Sequence, residues 1–375
     1  MAIWNRPIAL AGVVKNNSWG KGEESIISSF KHSGKHNRYA EYWLGAHPSG
    51  AANIIGTEQN LLQLINQYPN KVLGRDIAKK YNQNFPFLFK VLSVAQALSI
   101  QTHPNAELAV ELHKKNPTHY PDPFPKPEVG IAINTVKLLY GFRPLTEIKD
   151  FISNTLELSE MLQHSESIKE LYSQLMQTDE KIIHQQSKKL YTRLRKENKT
   201  DEISEQILKL ENLYPEGDVG IFNFYFLNLV TLRPEEAIFI APNIPHAYLS
   251  GDLIECMAPS DNVVRAGLTP KYMDVNTLLE MVEDQESLPN IINANSRGEY
   301  LLPISKYFRL STLKTGQEVQ SQNVVELIFC LSEGSINFDG EEFNFAIGDA
   351  MLISAMISEK MIKVSSGVFY HTLAE

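Results

Sequence analysis

The segment Gln101-Thr102-His103-Pro104-Asn105 closes a nearly continuous apolar run, Phe85 to Ile100, that carries a single charge, Lys90. On a β-strand, residues i and i+2 point to the same face. The carbonyl oxygen of Gln101 and the imidazole of His103 therefore project side by side from a strand end. That is half of a mixed nitrogen and oxygen metal site. A Gln-x-His pair is weak by itself, because a lone histidine after a strand is more often structural. Lys90 is open in the same way: its stem can snorkel to the surface, or its ammonium can line a cleft and meet an anion.

Outward from this segment, the chain of 375 residues is too long for one ordinary core and is expected to form two or three domains. Its 43% hydrophobic and 21% charged residues are those of a soluble globular protein. A formal net charge of −9 argues against nucleic acid as a partner. It leaves room for an anionic small molecule, since a few Lys and Arg focused in a cleft dominate locally. Cys256 and Cys330 are the only cysteines, which gives no disulfide framework and points to a reducing cytoplasm. Met1-Ala2-Ile3-Trp4-Asn5-Arg6 has no charged start followed by a long apolar region, so no signal peptide is expected. No apolar run reaches the roughly 18 residues of a membrane span.

Residues 1 to 60 carry all-β punctuation, with short apolar pieces between Gly, Ser and Asn. Within them, Arg38 to Gly50 packs aromatic, polar and glycine residues as either a pocket wall or a core strand entering a turn. Residues 58 to 84 show helical spacing broken at Pro69-Asn70, and Asn105 to Lys115 reads as a short helix. Tyr120 to Glu128 holds four prolines in nine residues, an extended and stiff backbone that either places Lys126 and Glu128 or is a plain surface turn. From Thr146 to Leu213 there is no Gly or Pro, and apolar residues recur at helical spacing, so three to five amphipathic helices are expected, with a loop near Arg195 to Asp201. β character returns at Phe222 to Leu232 and at Ala237 to Pro242, and residues 276 to 283 read as a helix. From about residue 300, short strands at Val324 to Leu331, Ser335 to Phe338, Phe343 to Phe345 and Ala350 to Ile353 suggest a jelly roll or sandwich. Ala346 to Ser354 is loosely like Ala237 to Leu249, but carries no His and is not expected to hold a metal.

Gln101, His103, Glu128 and His246 together would offer two nitrogens and two oxygens, a set that suits Zn and also Mn, Fe, Co or Ni. With one anionic ligand, a divalent ion keeps net positive charge and remains a Lewis acid. Around His246 lie Tyr248, Glu255, Asp261, Arg265 and Lys271, which form either acid–base and anion-binding machinery or a surface ion-pair network. There is no GxGxxG or Walker A loop, so nucleotide use has no support.

Several blocks, in order, resemble the type I mannose-6-phosphate isomerases, also called phosphomannose isomerases. They are Ala40-Glu41-Tyr42-Trp43-Leu44-Gly45 with His47-Pro48-Ser49-Gly50, Leu98 to Asn105, Lys126-Pro127-Glu128, Pro245-His246-Ala247-Tyr248-Leu249, Gly251 to Glu255, Ser260 to Arg265, and Gly267-Leu268-Thr269-Pro270-Lys271. The resemblance implies a mainly β protein with an α insertion: two cupin-type jelly-roll domains plus an inserted helical domain. The expected boundaries are 1–145 with 216–298 for the catalytic domain, 146–215 for the helical insertion and 299–375 for the C-terminal jelly roll. It implies a zinc-dependent aldose–ketose isomerase, with one Zn2+ per chain, that interconverts mannose 6-phosphate and fructose 6-phosphate through a metal-stabilised cis-enediolate. The implied zinc ligands are Gln101, His103, Glu128 and His246. Trp19, Glu41, Lys90, Ser99 and Lys271 would bind substrate, with Lys90 and Ser99 at the phosphate end. Lys126 and Glu255 would transfer protons, Arg265 would stabilise negative charge, and Tyr248 and Asp261 would complete the catalytic set. A monomer or weak homo-oligomer is expected. One departure stands out: Phe124-Pro125 occupies the place where many members have Asn-His before Lys-Pro-Glu. A sugar-phosphate-binding or regulatory protein without turnover is the alternative of a different class. A metal-dependent oxygenase would want two His and one carboxylate, which the glutamine ligand suits poorly.

Overall fold

The structure, a computed structural model, describes residues 3–303 and 306–375. Met1 and Ala2, at the head of the stretch read above for a leader, lie outside the described residues, as do Ile304 and Ser305.

Eleven strands between Val13 and Ile292 form one hydrogen-bonded system around the long strand His246–Met257. The two halves of that strand serve different partners. His246 to Ser250 pair with Val136–Phe142, and His246 also meets Gln101 of Ile100–Thr102. Gly251 to Met257 pair with Leu88–Val94 on one side, and Leu253 to Met257 with Glu128–Ala132 on the other. The switch falls at Gly251, with φ at +115°, where a Cβ would stand 2.6 Å from the Thr135 carbonyl oxygen. Only glycine takes that conformation and that approach without strain. The chain thus rolls into two facing sheets, the mainly β jelly roll expected from the sequence.

Every residue of Leu88–Val94 is buried, because both faces of its sheet are covered. Leu92 and Val94 face the barrel interior with Ile238, Ile240, Tyr248 and Leu253. Phe89 and Val91 face the other way and pack with Leu327, Phe329, Leu352 and Tyr370 of the C-terminal barrel. That barrel is built on a nine-stranded sheet with its own interior of Leu313, Ile328, Ile336 and Phe369. Its sheet also takes two pieces from the other end of the chain. Ile8–Ala11 lies between Ala350–Ile353 and Asn53–Ile54.

Between the strands, five helices from Leu145–Asn154 to Glu202–Leu210 form the insertion. Ser167, Asp179 and Asp201 cap three of them with their side-chain oxygens. Their apolar faces pack on Ile100, Leu139, Ala247 and Val264 of the barrel's outer surface.

Two local expectations are corrected. Phe222 to Leu232 is strand only from Leu227; Val219–Phe222 and Asn223–Tyr225 are helical turns. The Asp218 carboxylate receives the Gly220 N–H at 2.6 Å, and Phe222 and Phe224 are fully buried among the insertion helices. Packing outweighs the strand preference of the aromatics here. Further on, the two short strands around Ser332-Glu333-Gly334 are one bent strand, Glu326–Phe338, whose register shifts between Cys330 and Ser335. Polar bulge residues there imitate a turn in the sequence.

Candidate metal centre and substrate pocket

His246 begins the central strand, His103 follows Ile100–Thr102, and Glu128 begins Glu128–Ala132. These strand ends meet, so a nitrogen or oxygen from each residue lies within 4.8 Å of the others. Among the described residues this is the single such group of three His, Cys, Asp or Glu side chains. All three are at most 1% exposed.

The outer nitrogens are occupied. His103 Nδ1–H donates to the Asn262 carbonyl at 2.8 Å, and His246 Nδ1–H donates to the Ile244 carbonyl at 2.9 Å. Both Nε2 atoms and Glu128 Oε2 are buried and have no hydrogen-bond partner. Buried polar atoms are seldom left so. Burial and the nearby Lys126 ammonium hold His103 down at about 4, so it is neutral at pH 7, and its 3.4 Å contact with Glu128 is no ion pair. Burial would raise the Glu128 carboxyl, but Lys126, at 2.9 Å, and the two imidazoles hold it well below the usual range. Imidazoles whose outer Nδ1–H groups are spent on carbonyls turn their Nε2 atoms inward, and beside an ionised carboxylate these are the donors that a cation needs. The residues present fit a metal ion.

Above this group opens a cavity of about 840 Å³. Alternation along paired strands explains its charged wall. Lys90 faces Glu255 across one ladder and Trp43 across the other, with Glu41 two residues before Trp43. Lys90 Nζ lies 2.8 Å from Glu255 and 3.7 Å from Glu41. Burial would lower the Lys90 ammonium, but Glu255, Glu41 and Glu128 outweigh it and raise it. Burial raises the Glu255 carboxyl, with Lys90 opposing. Three carboxylates share this space with two ammonium groups, those of Lys90 and Lys126.

Tyr248 reaches the same cavity across Gly130. A Cβ at position 130 would stand 2.4 Å from the Tyr248 hydroxyl. That hydroxyl is buried and unpartnered, and burial raises it well above the ordinary tyrosine value. It is therefore a neutral group free to bond a bound molecule.

Gln101, Glu128, Lys126, Glu255, Tyr248 and Arg265 all line the cavity, as do Trp19, Glu41, Lys90, Ser99 and Lys271. His103 and His246 lie beneath its floor. Asp261 does not join them. Its side chain is 56% exposed and holds His47 Nε2 at 3.1 Å, and that bond keeps its carboxyl low. Lys90 is in the wall, but its charge is committed to two carboxylates and is not a free anion seat. Arg265 and Lys271 have no carboxylate within ion-pair distance among the described residues. Residues not singled out beforehand also contribute, notably Asn17, Trp43, and Tyr214 and Asp218 from the end of the insertion. Trp43 sat inside a quoted block; Tyr214 and Asp218 carried no local signal.

A jelly roll with an inserted helical domain and a His-Glu-His group under a polar pocket describes a cupin-type metalloprotein. The comparisons sharpen that class. Residues 8–145 match the family description "Phosphomannose isomerase type I, catalytic domain", and residues 146–227 match its helical insertion domain. The mannose-6-phosphate isomerase of Rattus norvegicus is 41% identical over 311 residues, 74% of this chain and 73% of that protein. The Homo sapiens protein of the same name is 41% identical over 310 residues, again 74% and 73%. A crystal structure of a phosphomannose isomerase mutant from Salmonella typhimurium superposes with TM-score 0.87 at 28% identity, covering 98% of this chain and 99% of that one. A zinc-bound mannose 6-phosphate isomerase superposes with TM-score 0.86, with the same identity and coverage. The chain belongs to the type I phosphomannose isomerase family.

Proposed function

We propose that this protein is a zinc-dependent isomerase interconverting mannose 6-phosphate and fructose 6-phosphate. The observation that carries this is the convergence of His103, Glu128 and His246, with unpartnered donor atoms, beneath a pocket walled by Lys126, Glu255, Tyr248 and Arg265. His103, Glu128 and His246 would hold the zinc, with the Gln101 amide completing the set from the adjacent strand. Lewis-acid polarisation of the sugar's vicinal oxygens is what a bound zinc supplies.

The rest falls to the chain. Aldose–ketose interconversion moves one proton between C2 and C1 through a cis-enediolate, and one hydroxyl proton between the two oxygens. Lys126 and Glu255 would carry the proton transfer. Lys126 stands at the metal ligand Glu128, and the Glu255 carboxyl, raised by burial, lies nearer the working pH of an acid–base group. Lys90 holds Glu255 in position. Tyr248 would bond a sugar oxygen. Arg265 and Lys271, the uncommitted cations of the wall, would take the phosphate with Ser99, and Arg265 presents a planar fork suited to it. Phe124-Pro125 places no imidazole before Lys126, so the proton path relies on Lys126 and Glu255 here. Cys256 and Cys330 are free and buried, which fits a reducing, cytoplasmic setting. Among the described residues no helix is long and apolar enough to cross a membrane.

Metal analysis with a coupled assay for fructose 6-phosphate tests the proposal. Stoichiometric zinc and steady ketose formation are expected. Zinc-loaded protein that binds mannose 6-phosphate without forming ketose would mark a binding protein instead.

A further inference from the structure

We propose that Asn262 is a positioning residue that sets the metal centre and Lys126 together. Its main-chain carbonyl accepts His103 Nδ1–H at 2.8 Å, which aims Nε2 inward. Its side-chain amide reaches the opposite way, to the proline-rich segment that leads into Lys126 and Glu128. Asn262 Nδ2 donates to the Asp122 carbonyl at 2.7 Å, to the Phe124 carbonyl at 3.0 Å and to Asp122 Oδ1 at 3.2 Å. Asn262 is fully buried. The amide orientation follows from its partners, since main-chain carbonyls only accept.

The proline-rich segment needs such an anchor. Pro121, Pro123, Pro125 and Pro127 have no N–H, so the segment has few main-chain donors with which to hold its place. It has no helix or strand before Glu128. Its own Phe124 N–H turns back to Asp122 Oδ1 at 3.0 Å. Its ends are tied elsewhere, by His113 Nδ1–H to the Tyr120 carbonyl at 2.8 Å and by the Ala258 N–H to the Pro127 carbonyl at 3.2 Å; the ties to its middle come from the 260–262 segment. Ser260 Oγ donates to the Phe124 carbonyl at 3.1 Å, Asp261 N–H donates to Asp122 Oδ2 at 2.9 Å, and the Asn262 N–H leans on Ser260 Oγ at 3.2 Å. Asn262 is the one member that touches both sides. Moving its backbone turns His103, and losing its amide frees the segment that carries Lys126 and Glu128. At Phe124-Pro125, where many family members have Asn-His, this clamp supplies the rigidity by donors from outside.

Asn262→Asp is nearly isosteric but removes both donors and sets a charge against two carbonyls and the Asp122 carboxylate. Outer partners of metal ligands are worth about ten- to a hundredfold in metal affinity. N262D and N262A keep the main-chain carbonyl that His103 bonds and lose only the side chain that fixes it, so in chelator competition on the full chain they are expected to weaken zinc binding by about tenfold, the low end of that range. At saturating zinc, kcat is expected to stay lowered with KM for mannose 6-phosphate little changed, because Lys126 is displaced. The Co(II)-substituted variants should show shifted d–d bands. Should N262D fail to fold, Asp122→Ala loosens the same clamp from its partially exposed side and should weaken zinc severalfold. The inference rests on the metal reading, and the wild-type arm separates the two. A wild-type chain that takes up no zinc overturns both. Wild-type binding with unchanged zinc affinity and Co(II) bands in folded variants, even with a lowered Tm, overturns the role of Asn262 alone.

Discussion

The two β barrels of this protein each bury a histidine beside a glutamate, and they do opposite things with them. In the C-terminal barrel His371 Nε2 meets Glu326 Oε2 at 2.6 Å, and the pair is at most 4% exposed. Gln322 N–H also bonds that carboxylate. The pair satisfies itself. In the first barrel, two histidines flank Glu128 at 3.3 and 3.4 Å, and their outer nitrogens are spent on main-chain carbonyls. Their inner nitrogens have nothing to bond. The distinction between a structural pair and a metal centre therefore lies in which atoms remain unsatisfied, not in residue type. His371 also borders a cavity, of about 890 Å³, but no third donor joins it among the described residues.

The largest test of this contrast removes one donor from each barrel. His246→Ala is expected to abolish zinc uptake and lower kcat/KM about a thousandfold or more, since the metal's charge stabilisation is worth several kcal/mol. Full activity in that variant would remove His246 from the site. Glu326→Gln should leave zinc content and kcat as they are and lower stability by about 1–3 kcal/mol, the cost of an impaired buried hydrogen bond. A changed zinc content there would break the contrast.

Next in size is the Lys90–Glu255 pair. Breaking a buried ion pair at one partner costs about 3–5 kcal/mol. Glu255→Gln leaves Lys90 with Glu41 at 3.7 Å, so the lower end, about 3 kcal/mol, is expected in urea unfolding, together with loss of activity. An unfolding midpoint equal to wild type would show that Lys90 is solvated.

The zinc-free protein should also show a pH signature. His103 is held at about 4 against an ordinary 6.5. The folded state therefore binds fewer protons than the unfolded state between those values. The stability from neutral His103 is fully present above about 6.5 and is lost as pH falls toward about 4. Unfolding of chelated protein across that window checks it, and H103Q should flatten the slope. The smallest effect belongs to Asp261→Asn. It cuts a mostly exposed contact to His47, so a change under about 1 kcal/mol and less than about twofold in kcat/KM is expected. A large loss of activity would return Asp261 to the catalytic set.

Much of the site could be read from residue order. Gln101 and His103 stood out by two-residue spacing at a strand end, and Lys90 by standing alone among apolar residues, but neither signal by itself separated a site from a structural role. The helical insertion was legible over Thr146 to Leu213 because 3.6-residue periodicity and the absence of Gly and Pro are local properties. Phe222 to Tyr225 were not, since burial against the insertion chose helix over strand there. Tyr214 and Asp218 were missed for a related reason: they become pocket residues only because the insertion returns to the barrel's rim.

By itself the sequence determined which donors the chain owns and which strands place them two residues apart. These are covalent and short-range facts, carried by side-chain chemistry and the pleat of a strand. Tertiary structure decided the rest. It brought His103, Glu128 and His246 from three separated segments to within 4.8 Å, spent Lys90 on Glu255, and left Asp261 outside in water. It also routed Ile8–Ala11 into the far barrel. Burial and hydrogen-bond satisfaction are properties of the packed chain, and they determine whether a histidine ends as half of a closed pair or as an open ligand.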